Sequence, residues 1–257
     1  MEKRIISVKG LELGNTVTKI CVPLVAADES GLRSALTHAL TVPFDLVEFR
    51  ADFIEGLTEE VMAGRDSLLL RSLTLIRERI PDRPILFTYR TEAEGGAGTS
   101  APETYISVNL MAAVSGLADL ADVEAIRDEK TARIIADGLH AAGLLAVGSN
   151  HDFEKTPPAD DIVRRLVRMQ EMGMDITKCA FMPRSRMDVI RLMDASVRMW
   201  EIYADRPYIT MSMGELGKVS RIAGTLTGSA VTFATAGAAS APGQIGFEAV
   251  ESRRELL

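Results

Sequence analysis

Short apolar runs alternate with longer helical patterns along almost the whole chain. Eight runs read as strands: TKICVPLVA (18–26), LVEFRADF (46–53), PILFTYR (84–90), LADLADVEA (117–125), LLAVGSNHDF (144–153), ITKCAFMP (176–183), RPYITMSM (206–213) and AVTFATA (230–236). Several are apolar almost throughout rather than at every second position, as parallel strands covered on both faces should be. Helical patterns of crossover length fill 57–80, 161–173 and 186–203, the second ending at Gly173. Strand signals recur every ~25–35 residues, and parallel neighbours need right-handed crossovers. The expected fold is a (β/α)8 TIM barrel, with a doubly wound open sheet as the competing architecture because periodicity does not report closure. The 117–125 run carries the weakest strand signal. The opening RIISVKGLELGNTVTKI reads as a short β-hairpin closing the barrel floor, with a turn signal at Gly14-Asn15.

The 257 residues suit one barrel domain spanning 1–257, since such barrels take ~250 residues. No Pro/Ser-rich linker or low-complexity segment divides the chain. Composition is that of an ordinary globular protein, 47% hydrophobic and 25% charged. A formal net charge of −7 argues against nucleic acid or an anionic membrane as partner. A small anionic substrate would need a local cluster of basic side chains. No apolar stretch is long enough to cross a bilayer, and the N-terminus lacks the apolar core of a signal peptide. The two cysteines, Cys21 and Cys179, form no motif, which suits a reducing, cytoplasmic location.

In a barrel, chemistry sits at the C-terminal ends of the strands. VEFRADF places Glu48, Arg50 and Asp52 at period two, on one face, where a covered strand does not tolerate unpaired charge. They read either as a structural ion-pair network or as a polar floor for a hydroxylated ligand. FTYRTEAEGG adds Arg90 and Glu94 beside a glycine pair able to form a flexible lip. GSNHDF puts His151 at a strand end, where an imidazole can serve as general acid and base; His38 and His140 fall in helical patterns and read as solvated or packing residues. ITKCAFMP places Lys178 inside an apolar run. A lysine there either snorkels to the rim or, when desolvated, becomes an amine able to attack a carbonyl. Lys178 and His151 lie on consecutive strands, within reach of one small ligand. Met211 and Met213 follow at period two, with Arg221 beyond them. Ser240, Pro242, Gly243 and Gln244 make a small-residue loop able to fold over a ligand.

With these residues in view, the chain resembles the class I (type I) 3-dehydroquinate dehydratases of the shikimate pathway. The resemblance runs from CVPLVA to SAPGQ and rests on VEFRADF, FTYRTEAEGG, SNHDF, KCAFMP, GKVSRIAGTLTGS and SAPGQI, all in the family's order. It implies a (β/α)8 barrel, a homodimer, no metal or cofactor, and a role in aromatic amino-acid biosynthesis. It also implies that Lys178 forms an imine with the substrate ketone, that His151 acts as general base and then acid, and that Glu94 orients the histidine. Glu48, Arg50 and Arg90 then surround the ring hydroxyls, and Arg221, Ser240 and Gln244 bind the carboxylate. Met213, Phe153 and Phe233 are apolar walls. Cys179 departs from the larger aliphatic residue expected there, on the strand face opposite Lys178. Two other readings stay open on sequence. One is a Schiff-base aldolase for a phosphorylated sugar, with GELGKVSRIAG as a phosphate-binding loop. The other is a non-catalytic barrel that binds a small acid.

Overall fold

The computed structural model of the chain describes residues 5–237 and 242–254. It opens with an antiparallel hairpin, β1 (Ile6–Val8) and β2 (Leu11–Leu13). The turn is Lys9-Gly10 rather than the expected Gly14-Asn15. Both turn residues take positive φ, 46° and 76°, the backbone that a two-residue hairpin turn requires. Asn15 instead accepts the Val17 N–H on its side chain, an Asx turn leading into the first barrel strand.

The barrel strands are β3 (Lys19–Leu24), β4 (Leu46–Arg50), β5 (Ile85–Thr88), β6 (Leu120–Glu124), β7 (Leu145–Asp152), β8 (Ile176–Phe181), β9 (Tyr208–Ser212) and β10 (Val231–Thr235). Each falls inside its expected range, the weakly signalled β6 included. A two-residue β11 (Ile245–Gly246), not expected from the sequence, pairs with the end of β10. The intervening helices are α1 (Glu29–Ala39), α2 (Leu57–Met62), α3 (Ser67–Arg79), α4 (Pro102–Val114), α5 (Glu129–Ala141), α6 (Ala159–Glu171), α7 (Arg186–Arg198), α8 (Gly214–Ile222), α9 (Gly224–Thr227) and α10 (Phe247–Arg254). None is long and apolar enough to cross a membrane.

The large sheet is parallel and runs β11-β10-β3-β4-β5-β6-β7-β8-β9. From β3 to β9 the order is sequential, without the reversal of a doubly wound sheet. β9 is joined to the residues leading into β10 where Ala230 N–H donates to the Tyr208 carbonyl at 2.8 Å and Thr210 N–H donates to Ser229 Oγ at 3.0 Å. The fold is TIM-barrel-like.

The single helix expected over 57–80 is two helices. Gly64, at φ 69°, takes the left-handed conformation that ends a helix, and Arg65 N–H closes back on the Glu60 carbonyl. The Glu60 carboxylate then accepts from Ser67 Oγ and from Leu68 N–H, tying down the start of α3. Both segments carry the same amphipathic pattern, so periodicity alone ran across the break.

Below the strands a clasp recurs. An aspartate just before each of β4, β6 and β8 grips one residue of the preceding strand by both its backbone groups. Asp45 Oδ2 accepts Ile20 N–H at 2.7 Å while Asp45 N–H donates to Ile20 O at 3.0 Å. Asp119 does the same to Ile85, at 2.8 and 3.0 Å. Asp175 does the same to Ala146, at 2.9 Å in both directions. Arg77 lies 2.6 Å from Asp119, and His140 Nε2 lies 2.7 Å from Asp175, so His140 belongs to the floor. Replacing Asp119 with Ala removes an acceptor from a backbone N–H and from a guanidinium together. Urea unfolding of Asp119→Ala should show a loss of roughly 1–3 kcal/mol; an unchanged midpoint would mean the clasp carries no stability.

Candidate active site

Side chains on alternate positions of each strand point into the barrel. The lowest inward layer is aliphatic: Leu46, Leu86, Leu120, Val147, Ile176, Ile209 and Val231, packed with Ile6 and Leu13 of the hairpin. Two residues further along the same strands stand Glu48, Thr88, Asp122, Ser149, Lys178, Met211 and Phe233. The barrel thus changes from oil to charge within one pleat. Outward positions, Cys179 among them, pack against the helices. Cys21 and Cys179 are both buried free thiols, one inside the barrel and one outside it.

Lys178 is 3% exposed. Its Nζ donates to Asp122 Oδ2 at 3.0 Å, lies 3.7 Å from Glu48 Oε1, and sits 4.7 Å from the centre of the Phe233 ring. It does not snorkel to the rim. The β7–β8 register sets Ser149 opposite Lys178 and His151 opposite Ala180, so His151 lies on the same inner face, one step nearer the mouth.

His151 is held twice by one carboxylate. Glu94 Oε2 is 2.9 Å from Nδ1 and accepts the His151 backbone N–H at 2.9 Å. Burial, then the nearby cations Arg90 and Lys178, hold the imidazole well below its ordinary range, with Asp122 pulling the other way. Near neutral pH it is therefore uncharged, and whenever Glu94 is ionised the carboxylate keeps the imidazole proton on Nδ1, leaving the Nε2 lone pair for a ligand. Glu94 itself is pushed up to about 7 by burial, against Arg90 and with Glu124, while donors from Asn150 and His151 oppose the rise. Asn150 Nδ2 donates to Glu94 Oε1 at 3.0 Å, and Arg165 of α6 donates to Asn150 Oδ1 at 2.6 Å. Arginine has no acceptor, so this contact and Glu94 select the same orientation of the amide.

Arg90 binds Asp122 at 2.7 Å and Glu124 at 3.2 Å, with Glu94 at 3.7 Å. Arg50 forms a two-pronged pair with Asp52, 2.8 Å on each prong. Asp52 does not continue the strand as the period-two pattern implied: β4 ends at Arg50, and a 3-10 turn over Ala51–Phe53 folds the carboxylate back. Arg221, at the end of α8, is 2% exposed. Its Nη2 reaches the Pro242 carbonyl at 3.4 Å, its Nη1 the Met211 sulfur at 3.6 Å, and its Nε has no partner among the described residues. Among the described residues no carboxylate lies within ion-pair distance of it. Burial pushes it down to about 10, still a cation at neutral pH.

One cavity of about 500 Å³, open mouth included, gathers these groups. Glu48, Arg50, Arg90, Glu94, His151, Phe153, Lys178, Met213, Arg221, Phe233 and Gln244 all line it, together with Met211, Thr88, Gly95 and Ala180. Ser240 lies outside the described residues. The sequence model of the type I 3-dehydroquinase family matches residues 20–256. The chain belongs to that family. It is 42% identical over 245 residues to the 3-dehydroquinate dehydratase of Bacillus licheniformis, covering 95% of this chain and 93% of the relative. It is 43% identical over 253 residues to that of Klebsiella pneumoniae, covering 98% and 97%. Its structure is similar to that of the type I 3-dehydroquinate dehydratase of Clostridium difficile with covalently modified comenic acid: TM-score 0.92, 38% identity, 99% of this chain and 98% of the other. The 3-dehydroquinate dehydratase of Geobacillus kaustophilus superposes with TM-score 0.91 at 32% identity, over 100% and 97%.

In this chain the glycine pair after Arg90 is packed rather than a flexible lip. A Cβ on Gly95, itself at φ 82°, would lie 2.3 Å from the Phe153 ring, and one on Gly96 would lie 2.1 Å from the Arg90 carbonyl oxygen. The tight turn is what aims Glu94 at His151. GELGKVSRIAG, offered on sequence as a loop, is helical from Gly214 to Ile222, and its arginine lines the cavity. The residues missed on sequence are Asp122 and Glu124, with Ser149, Asn150 and Arg165 behind them. The first two did leave a signal, since LADVE repeats the period-two charges of VEFR.

A carboxyl raised to about 7 makes the native protein bind more protons than the unfolded chain between about pH 4.5 and about pH 7. Its contribution to stability is therefore full below that window and declines as pH rises through it. Asp122 behaves oppositely: burial alone would raise it, but Arg90 and Lys178 hold it well below the usual carboxylate range, so its contribution is lost only in strong acid. Unfolding free energies of wild type and Glu94→Gln, compared across that window, should diverge in the variant's favour as pH rises. Parallel curves would contradict the assignment.

Proposed function

We propose that the protein dehydrates 3-dehydroquinate to 3-dehydroshikimate in the shikimate pathway, through an imine on Lys178 with His151 as general base and acid. The observation that carries this is the convergence of a buried lysine amine and a neutral, carboxylate-oriented imidazole on one cavity. The family and its named relatives supply the substrate. The covalently modified acid in the Clostridium difficile structure is in keeping with a family site that holds an acid covalently.

The chemistry follows from these groups. The lysine nitrogen passes one ammonium proton to the ketone oxygen as it adds at C3; a second proton follows from nitrogen to oxygen and water leaves, so ketone plus ammonium becomes a protonated imine, a stronger electron sink than the ketone. His151 Nε2 takes the C2 proton, and the freed electron pair moves toward the imine nitrogen as an enamine. The imidazolium then gives its proton to the C1 hydroxyl, which departs as water while the enamine pair forms the new double bond. One base serving both steps on one face makes the elimination syn. Hydrolysis of the conjugated imine releases the product and restores the lysine. Arg221 meets the substrate carboxylate with a charge-assisted bond, and Gln244 and Ser240 complete that end. Glu48, Arg50 and Arg90 address the ring hydroxyls, and Phe153, Met213 and Phe233 close the apolar sides. A locally basic carboxylate site inside a protein of net charge −7 needs one such uncompensated arginine.

Borohydride reduction with 3-dehydroquinate, followed by peptide mass mapping, should place the adduct on Lys178. An adduct on another lysine, or none, would sink the mechanism. Absorbance from a conjugated enone should grow with turnover and vanish in Lys178→Ala. His151→Ala should slow turnover by roughly 10²–10⁴-fold while still permitting imine trapping.

A homodimer is the assembly this reading carries. Met187 and Ile190 on α7, Leu216 and Val219 on α8, and Leu226 on α9 are exposed and offer apolar surface for a second copy. Light scattering should return twice the chain mass, reduced toward one chain by Val219→Asp; a single-chain mass for the wild type would exclude it.

A further inference from the structure

We propose that Asp122 is the counter-ion of the reaction: it faces the Lys178 ammonium before the imine forms and the protonated imine afterwards, keeping that nitrogen protonated. The inference rests on the imine chemistry above and assigns a role to a carboxylate that chemistry does not itself require.

Geometry singles it out. Asp122 Oδ2 is 3.0 Å from Nζ, whereas Glu48, the other carboxylate in range, stands at 3.7 Å and also accepts from Thr88. The second oxygen of Asp122 is pinned by Arg90 at 2.7 Å and by Ser149 Oγ at 2.5 Å. The residue is 1% exposed and sits mid-strand on β6, so it cannot swing away. Held well below the usual carboxylate range, it stays an anion and does not compete with His151 for the substrate's proton.

Charge accounting gives the role its content. A ketone plus an ammonium becomes a protonated imine plus water, so the positive charge stays on the same nitrogen. An imine that lost that proton would be a poor electron sink. An anion at hydrogen-bond distance in a site shielded from water is the direct means of preventing the loss. When the C2 proton moves to His151, the positive charge moves with it, from one inward side chain to another beside Ser149. Ser149 bonds to Asp122, so the carboxylate stays close to the charge throughout. Arg90, Glu124 and Glu48 are the other charged groups around it.

Borohydride trapping of the 3-dehydroquinate imine, measured against pH alongside kcat, tests this on the intact enzyme. Asp122→Asn keeps the shape and removes the charge. Its trapping profile should move at least about one pH unit toward acid, and kcat should fall roughly 10²–10³-fold with a smaller change in KM. Ser149→Ala, which loosens Asp122 without touching the lysine, should shift the profile the same way by less, and it decides the matter should Asp122→Asn fail to fold. If wild type is trapped and the folded variants keep its profile and turnover, the counter-ion role is wrong while the imine stands. If wild type forms no adduct, both fall.

Discussion

A charge inside a barrel must find its opposite within a few ångströms, because the water that would screen it has been excluded. That constraint organises everything above the aliphatic floor. Asp122 bonds to Lys178 and to Arg90 together, and Arg90 goes on to Glu124 and Glu94. Glu94 holds His151. The chain of contacts crosses from β6 to β8 and back to the loop after β5 without an isolated ion. Removing any member strands a neighbour, which is the expensive way to break such a network. The exception is Arg221, buried with no carboxylate in range among the described residues. Among the described residues it is the cavity's cation without a carboxylate, and the proposed function sets the substrate's acid against it.

The outer layer of the barrel takes part as well. Arg165 belongs to α6, yet through Asn150 it braces the carboxylate that orients His151. The packed glycines after Arg90 do a similar job from the opposite side by fixing the turn that carries Glu94. The position of the imidazole is thus determined by groups of which several never face the cavity.

What could be read in the sequence follows from the same constraint. Polar residues in doubly covered strands are costly unless they have a purpose, so Lys178, His151, Glu48 and Arg50 stood out from their apolar runs. Strand and helix alternation was equally plain. Asp122 and Glu124 were overlooked because their run has little β-branched character, and its alanines diluted the strand signal around them. Arg165 had no local signal, since its partner lies on the preceding strand rather than along its own helix. Lys9 at positive φ and the break at Gly64 were hidden for a different reason: both depend on backbone conformation, which hydrophobic patterning does not encode. Cys179, expected on the strand face opposite Lys178, is there, because that expectation needed only the pleat.

The clasps beneath the strands gain a meaning from that pleat. Neighbouring residues of a strand face opposite sides, so a slip of one position turns every side chain over. Asp175 grips Ala146 through both backbone groups, and a one-residue slip of β8 against β7 would break both hydrogen bonds at once. The same slip would turn Lys178 out among the helices and bring Cys179 into the cavity. Asp175 thus works as a register key, set at the end of the barrel farthest from the cavity, for which residue of β8 faces that cavity.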